Sequence, residues 1–511
     1  MQGSLGISGS GPGRTAITGA IVSVLAVVLF ATACTAPPEP PDEYQLTARL
    51  VTGGIQLQWT DPGSSLAGFD LEILAVRPTS GSWEPLGHSD STSFTDTTAA
   101  NRSTNLYRVR AAAGPGNPAG SWSKPVRATY VELQLPVVRI DTDGGVPIVS
   151  KDEYVGAQLD IDPNGSGYDA FSASMRVKGR GNTTWSLAKK PYKMKLDSKA
   201  SLFDKPKEKD WVLLANYSDR SQLRTWTAQT MGHLTDLAWT PDSVHVEVVL
   251  NGTYLGVYQL TEQVEIKENR LDITEMEPVD TTGEAVTGGY LLEIDARLEQ
   301  NSEPGFRTRR NRPIVIKDPE PANAEQFNYI RSYIQDFEDA LYGPLSADPD
   351  VGYQAYLDVD SYVDWYMVEE LLKNQDANFS SAYFYKDRSE KLRFGPLWDF
   401  DLSMGTSHGI VPPDPEQWWV NQPNKPWTNQ ISADPTFRTR LNQRWDAIKP
   451  AVDQLPQQII DLGATLEEAV ANDAARWDYT VQPEDTAPFL ADWLTTRTAW
   501  FDAEIDALAT P

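Results

Sequence analysis

The apolar residues of this chain change period part-way along, and that change excludes any fold built from one kind of element. Over residues 44–131 short segments alternate apolar and polar side chains, as in Ile55-Gln-Leu-Gln-Trp59, Phe69-Asp-Leu-Glu-Ile73 and Tyr107-Arg-Val-Arg-Ala111, with clusters of Gly, Pro, Asn and Ser between them. Side chains on extended backbone point to opposite faces in turn, so these segments predict a β-sandwich. Strand-like runs continue to about residue 295. Among them, residues 244–250 and 254–260 flank Asn251-Gly252 and predict a hairpin with a tight turn. Beyond Glu325 the spacing becomes helical, with Phe327, Ile330, Ile334, Phe337 and Leu341 on one face. Further helices are predicted over 359–372, 437–448 and 493–508. The expected fold class is multidomain: an all-β sandwich over 44–131, a linker over 132–138, and an α+β domain over 139–511, rich in strands first and in helices later.

Charge limits the partners. The 511 residues carry 44 Lys+Arg against 71 Asp+Glu, a net charge of −27. A general nucleic-acid surface is therefore excluded and no nucleic acid is expected as a partner. Sixteen Trp residues argue for packed cores in spite of 36 Pro. At the N-terminus Arg14 precedes an apolar stretch from Ile17 to Phe30, which Ala31-Thr32-Ala33-Cys34 closes with small residues. That is the layout of a secretory signal over residues 1–34. Cys34 is the one cysteine of the chain, so no disulfide forms within it. Its position resembles the lipobox of bacterial lipoproteins, which implies lipidation of Cys34, a membrane anchor and a place on the outer side of the cytoplasmic membrane, with secretion as the alternative. Residues 35–43 then read as a proline-stiffened tether.

The chemistry concentrates in Phe394-Gly395-Pro396-Leu397-Trp398-Asp399-Phe400-Asp401. On an extended segment residues two apart share a face, and two partly desolvated carboxylates there call for a cation. A hard ion such as Mg²⁺ suits such oxygen donors. The alternative is that one or both of them cap a helix starting near Leu402. Upstream, Asp376 in Asn374-Gln-Asp-Ala-Asn378 is predicted to sit in a loop between a helix and the strand Ala382-Tyr-Phe-Tyr-Lys386. Between Arg176 and Lys209 the acidic chain reverses sign, with Arg180, Lys189, Lys190, Lys193 and Lys195 among its cations, as a polyanionic ligand would explain. Phosphoryl transfer needs a carboxylate for the acceptor hydroxyl, another for a metal, and cations around the phosphates. Asp376, Asp399 and the basic strip supply these three parts.

Several ordered motifs carry a resemblance to a known family. They are Arg180-Gly-Asn-Thr-Thr-Trp185, Lys189-Lys-Pro-Tyr-Lys-Met-Lys195, Trp211-Val-Leu-Leu-Ala-Asn216 with Arg224, Asn251-Gly-Thr-Tyr-Leu-Gly-Val-Tyr-Gln-Leu-Thr-Glu262, Gly289-Tyr-Leu-Leu-Glu-Ile-Asp295 and Gly395-Pro-Leu-Trp-Asp-Phe-Asp401. Through them the domain over residues 139–511 resembles the spore coat protein H (CotH) kinases, a family of atypical protein kinases. Trp59, Tyr107 and Ser121-Trp-Ser-Lys-Pro125 likewise make residues 44–131 resemble a fibronectin type III domain. The kinase resemblance implies ATP, Mg²⁺ or Mn²⁺, an atypical protein-kinase-like core, and a protein substrate phosphorylated on Ser or Thr. By the same resemblance Asp399 binds the metal, with Asp401 beside it or as a further ligand, and Asp376 orients or deprotonates the acceptor hydroxyl. Lys190, Lys193 and Lys195 are candidates for the phosphate-binding lysine, with Arg180 assisting. Glu262 is placed to pair with that lysine or to position the metal. Ser381 stands five residues after Asp376, where ordinary kinases put a metal-binding Asn, and Asn378 is the candidate substitute.

Two further features have alternative readings. Asn216, Tyr217 and Arg224 line a nucleotide site, or the segment around Ser218 and Asp219 caps a helix. Trp418, Trp419 and Trp427 bind a sugar or a protein, or pack beneath a long loop. A second functional class also fits the signal and the sandwich, namely a non-catalytic surface adhesion or envelope-binding lipoprotein that retains the kinase-like fold.

Overall fold

The computed structural model describes residues 43–63, 67–79, 81–422 and 425–509. The expected signal, Cys34 and residues 35–42 of the tether lie outside the described residues.

The alternating N-terminal segments form seven strands: β1 (Thr47–Val51), β2 (Gly54–Gln58), β3 (Phe69–Arg77), β4 (Glu84–Ser89), β5 (Ser93–Asp96), β6 (Ser103–Ala111) and β7 (Val126–Tyr130). They pair into two antiparallel sheets, ordered β1-β2-β5 and β4-β3-β6-β7. Leu50, Ile55 and Leu57 of the first sheet share a core with Phe69, Leu71, Tyr107 and Val109 of the second. Trp59 meets Phe69 edge-on at 5.3 Å. The buried Tyr107 hydroxyl donates to Asp96 Oδ2 at 2.9 Å, so its polar end is satisfied inside an apolar layer.

This core continues past the predicted linker, because Val137, Val249 and Tyr254 belong to it. The linker itself is held: the N–H groups of Gln134 and Leu135 donate to Glu247 Oε2 at 2.6 and 3.0 Å. Its last residues already belong to β8 (Val137–Thr142). With β9 (Val155–Asp162), β10 (Phe171–Gly179), β11 (Tyr192–Ala200), β12 (Glu208–Leu214), β13 (Ser243–Leu250) and β14 (Thr253–Glu262), this strand closes a barrel ordered β10-β11-β12-β14-β13-β8-β9. The β13–β14 turn is the predicted Asn251-Gly252, with φ of 49° and 78°, the left-handed pair that a tight hairpin turn requires. Alternation along β11 sends Tyr192, Met194 and Leu196 into the barrel core and leaves Lys193 and Lys195 outside it. Two helices interrupt the barrel strands, the single turn α1 (Thr183–Ser186) and α2 (Arg224–Gly232).

A second sheet follows, ordered β16-β17-β15-β18-β19, from β15 (Tyr290–Ile294), β16 (Gly305–Arg307), β17 (Pro313–Asp318), β18 (Ala382–Lys386) and β19 (Leu392–Phe394). The helices are α3 (Ala324–Leu341), α4 (Val359–Leu371), α5 (Thr428–Ile431), α6 (Pro435–Val452), α7 (Leu455–Trp477) and α8 (Ala487–Ala509). In α3 the predicted stripe Ile330, Ile334, Phe337 and Leu341 is fully buried, and Asn323 with Gln326 forms a capping box. The same core encloses α4 on every side. Helix α7 is an element the sequence reading did not predict. Its Gly463 allows close approach to α8, since a Cβ there would stand 2.3 Å from that of Ala487. No helix among the described residues is long and apolar enough to cross a membrane.

Candidate active site

A cavity of about 590 Å³ opens between the barrel and the second sheet, and Asp376, Asp399 and Asp401 all line it. Asp376 sits in the turn between α4 and β18, as its sequence context predicts. The turn is tied locally: Asp376 N–H donates to Asn374 Oδ1 at 3.2 Å, and the N–H of Phe379 donates to the Asp376 carbonyl at 2.8 Å. Asp399 follows β19 and Trp398. It is not on extended backbone as expected, since its φ is 66°. No helix begins near Leu402, so neither carboxylate is a helix cap. Ser381 Oγ donates to Asp399 Oδ2 at 3.1 Å, which gives this serine a place in the site.

These acids crowd one another. Burial, and then the Asp399 charge, pushes the Asp376 carboxyl up to about 7. Burial pushes Asp401 well above the usual carboxylate range, with Asp399, Asp219 and Asp376 adding to it and Arg224 opposing. Glu293, also on the cavity wall, is pushed up to about 7 by burial. Desolvated carboxylates close to one another raise each other's pKa in this way. An all-oxygen donor set from Asp399 and Asp401 fits Mg²⁺ or Mn²⁺. The Glu293, Asp295 and Glu303 oxygens also lie within 4.8 Å of one another. That group is already balanced by Lys317, near Glu293 and Glu303 at 3.4 and 3.3 Å, and by Arg297, whose Nε meets Asp295 at 3.0 Å.

On the barrel side Arg180 projects into the cavity with its guanidinium 5.3 Å from the Trp398 ring. Burial lowers its pKa, while Tyr383, Asp399 and Glu293 act in the opposite sense. Lys193 lines the cavity and pairs with Asp210 at 3.1 Å. Lys178 also lines the cavity, with its ammonium 4.8 Å from the Tyr154 ring, whereas other cations of the strip are engaged locally. Lys190 donates to the Trp185 carbonyl at 2.6 Å, and Lys195 shares Asp210 at 3.5 Å; neither lines the cavity. Lys199 pairs with Glu208 and Lys205 with Asp242. Lys189 does border the cavity, yet its ammonium is buried against Asp473 of α7 at 2.7 Å. The strip is thus not one polyanion-binding face, because Lys189, Lys193, Lys195, Lys199 and Lys205 are each paired with a carboxylate.

Two expected placements are corrected. Glu262 pairs with Arg270 Nη1 at 2.6 Å and accepts from the Asp242 N–H at 2.9 Å; it does not line the cavity and pairs with none of the three candidate lysines. Asn378 does not face the cavity either: its Oδ1 accepts from Arg312 Nη2 at 2.8 Å and from Thr428 Oγ1 at 3.1 Å. Asn216 and Tyr217 line the cavity, whereas Arg224 is buried beneath it. Arg224 Nη1 meets Asp219 at 2.7 Å and Asp485 at 2.9 Å, and its Nε donates to the Ser403 carbonyl at 2.9 Å, bracing the chain just after Asp401. The tryptophans pack: Trp418 stacks edge-on to Trp500 at 5.2 Å, Trp419 Nε1 donates to the Asn374 carbonyl at 2.8 Å, and Trp427 is buried.

Arg297 escaped the sequence reading. Arg297 follows the Gly289–Asp295 motif and brings a cation towards Asp376 and Asp399. Only its closeness to that motif could have marked it.

The family model described as CotH kinase protein matches residues 177–501, more than half of the chain. No curated protein matches it. Solved structures similar to it include titin kinase with its flanking domains, at 10% identity over 43% of this chain and 37% of that one, with a TM-score of 0.14. Another is the twitchin kinase region from C. elegans, at 12% identity over 49% and 44%, with a TM-score of 0.18. The chain spans less than half the length of each, and similarity at this level defines no fold.

Proposed function

The chain belongs to the CotH kinase protein family, and from that premise we propose that it transfers the γ-phosphoryl group of ATP to a Ser or Thr hydroxyl of a protein. The observation that carries this reading is the convergence of Asp376, Asp399, Asp401 and Arg180 on one cavity. Asp376, with its carboxyl pushed up to about 7, is suited to accept the proton of an acceptor hydroxyl near neutral pH. Asp399 and Asp401 are the residues to hold Mg²⁺ or Mn²⁺, which when bound offsets negative charge on the phosphates. Arg180 and Lys193 face the same space from the barrel and orient the phosphate chain, with Arg297 opposite them.

In this reading the N-terminal sheets form a fibronectin type III-like module, supported by their three-plus-four strand order. The lipobox-like Cys34 supports attachment to the outer face of a bacterial membrane. The test is incubation of residues 35–511 with Mg²⁺ or Mn²⁺, γ-labelled ATP and a Ser-rich acceptor protein, beside Asp376→Ala and Asp399→Ala. Label transfer by the wild type and by neither variant is expected. A folded wild type that neither transfers label nor binds nucleotide points instead to the adhesion role.

A further inference from the structure

The turn between β16 and β17, Thr308-Arg-Arg-Asn-Arg312, is rich in arginine, and its cations go different ways. Arg309 pairs with Asp339, and the exposed Arg310 lies over the Tyr342 ring at 3.6 Å. Arg312 turns inward instead. It is 5% exposed, and its Nη1 and Nη2 donate to the carbonyl oxygen and the Oδ1 of one residue, Asn378, at 3.0 and 2.8 Å. Its Nε has no hydrogen-bond partner among the described residues. Burial pushes its pKa down to about 10, with Tyr362, Tyr342 and Glu338 opposing, so it is still charged at neutral pH.

Both ends of this contact are fixed. Arg312 N–H donates to Thr308 Oγ1 at 3.0 Å, the Thr308 hydroxyl donates to Glu338 Oε1 of α3 at 2.8 Å, and Thr308 N–H donates to the Arg312 carbonyl at 2.9 Å. At the other end Asn378 Oδ1 also accepts from Thr428 Oγ1 at 3.1 Å, which in turn accepts from the Tyr362 hydroxyl of α4 at 2.9 Å. Asn378 lies inside the turn that carries Asp376, where the N–H groups of Phe379 and Ser380 donate to the Asp376 carbonyl at 2.8 and 3.1 Å. A buried guanidinium that spends its bonds on an amide residue is a costly way to fill space, and an apolar side chain would pack beside Trp427 at least as well. What a methionine could not do is grip a backbone and a side-chain oxygen of the same residue at once, as the rigid fork of a guanidinium does.

We propose that Arg312 is a positioning residue for Asp376, holding the turn that carries it through the two oxygens of Asn378. The inference rests on the phosphotransfer reading for its catalytic consequence, but not for its structural one. Amide hydrogen exchange at Phe379 and Ser380 is therefore measured in the full chain alongside label transfer. Arg312→Met removes both donors at similar length. It is expected to speed exchange at the two amides about tenfold and to lower kcat by on the order of 10²-fold, with the KM for ATP unchanged. Asn378→Ala, which leaves only the backbone acceptor, is expected to move both readouts the same way by less. Asn378→Asp keeps both acceptors and replaces Nδ2, which has no partner among the described residues, with an oxygen. It is expected to retain wild-type exchange and most of the rate. Wild-type exchange in folded Arg312→Met overturns the proposal, as does a rise in the KM for ATP as large as the fall in kcat, because general damage to the sheet would then explain the loss. Should Arg312→Met fail to fold, the two Asn378 variants decide: equal effects of Asn378→Ala and Asn378→Asp overturn the proposal. Absence of label transfer in the wild type counts against phosphotransfer alone, and the exchange result still decides the positioning role.

Discussion

The two walls of the cavity are made in opposite ways. On the barrel side several lysines have a nearby counter-group: Lys193 and Lys189 on the wall pair with Asp210 and Asp473, and outside the cavity Lys195 shares Asp210 and Lys190 meets a backbone carbonyl. On the opposite wall Asp376, Asp399 and Asp401 lean on one another, and two of them are held protonated more readily than free carboxylates. A wall balanced within itself needs no ligand to be stable, whereas a crowded acidic wall is incomplete until a cation arrives. On the phosphotransfer reading proposed above, the ligand-dependent part of this protein is the segment around Asp376 and Asp399, and the paired lysines of the strip are chiefly architecture.

The sharpest way to break that contrast is Asp399→Ala. It is expected to abolish metal-dependent nucleotide binding with the fold intact and to lower label transfer by ~10³-fold, measured by titration calorimetry and by transfer assay. Unchanged binding would remove the metal assignment from the acidic wall. On the barrel wall the largest effect should be on stability instead. Lys189→Met strands the buried Asp473 charge and is expected to cost about 3 kcal/mol in urea unfolding, with partial recovery in the Lys189→Met, Asp473→Leu pair. Equal stability of wild type and Lys189→Met would show that the pair is not the brace it resembles.

The pH response separates the walls further. Asp376, Asp401 and Glu293 all have folded pKa values above their unfolded ones, so the folded state binds more protons than the unfolded chain. Their contribution to stability is complete below the ordinary carboxylate range and is lost as pH rises through about 7 for Asp376 and Glu293. Without divalent ions Tm should fall between pH 5.5 and 8, and Mg²⁺ should raise it more at pH 8 than at pH 5.5; scanning calorimetry checks both. Arg180→Ala should weaken nucleotide binding by about tenfold, as expected for loss of a charge-assisted contact. Lys195→Ala, whose ammonium is spent on a partly exposed pair outside the cavity, should change it by less than about twofold. If Lys195→Ala matched Arg180→Ala, the barrel wall would bind ligand as a surface and the contrast would fail.

Much of the architecture can be read from periodicity. The alternation in β2, β3 and β6, the Asn251-Gly252 turn and the Ile330–Leu341 stripe each follow from local geometry, and each stands where it was predicted. Helix α7 escaped because Gly463 breaks its pattern in sequence, although in space that glycine is what lets α8 approach. The site divides in the same way. Asp376 and Asp399 were legible because both lie in short motifs with unusual neighbours for a carboxylate. Glu262 was read as a partner for a catalytic lysine on motif order alone, but strand pairing sets it beside Trp211 and within reach of Arg270.

Chain order alone thus determined the change from strands to helices, the turn between β13 and β14, and which carboxylates stand in apolar surroundings, since these depend on neighbours within a few positions. Which lysine faces the cavity, that Asn378 turns to Arg312, and that Lys189 spends its charge on Asp473 far along the chain were decided only by tertiary structure. An ion pair forms with whichever opposite charge packing brings within a few ångströms, and that partner is set by the whole topology rather than by the residues beside it.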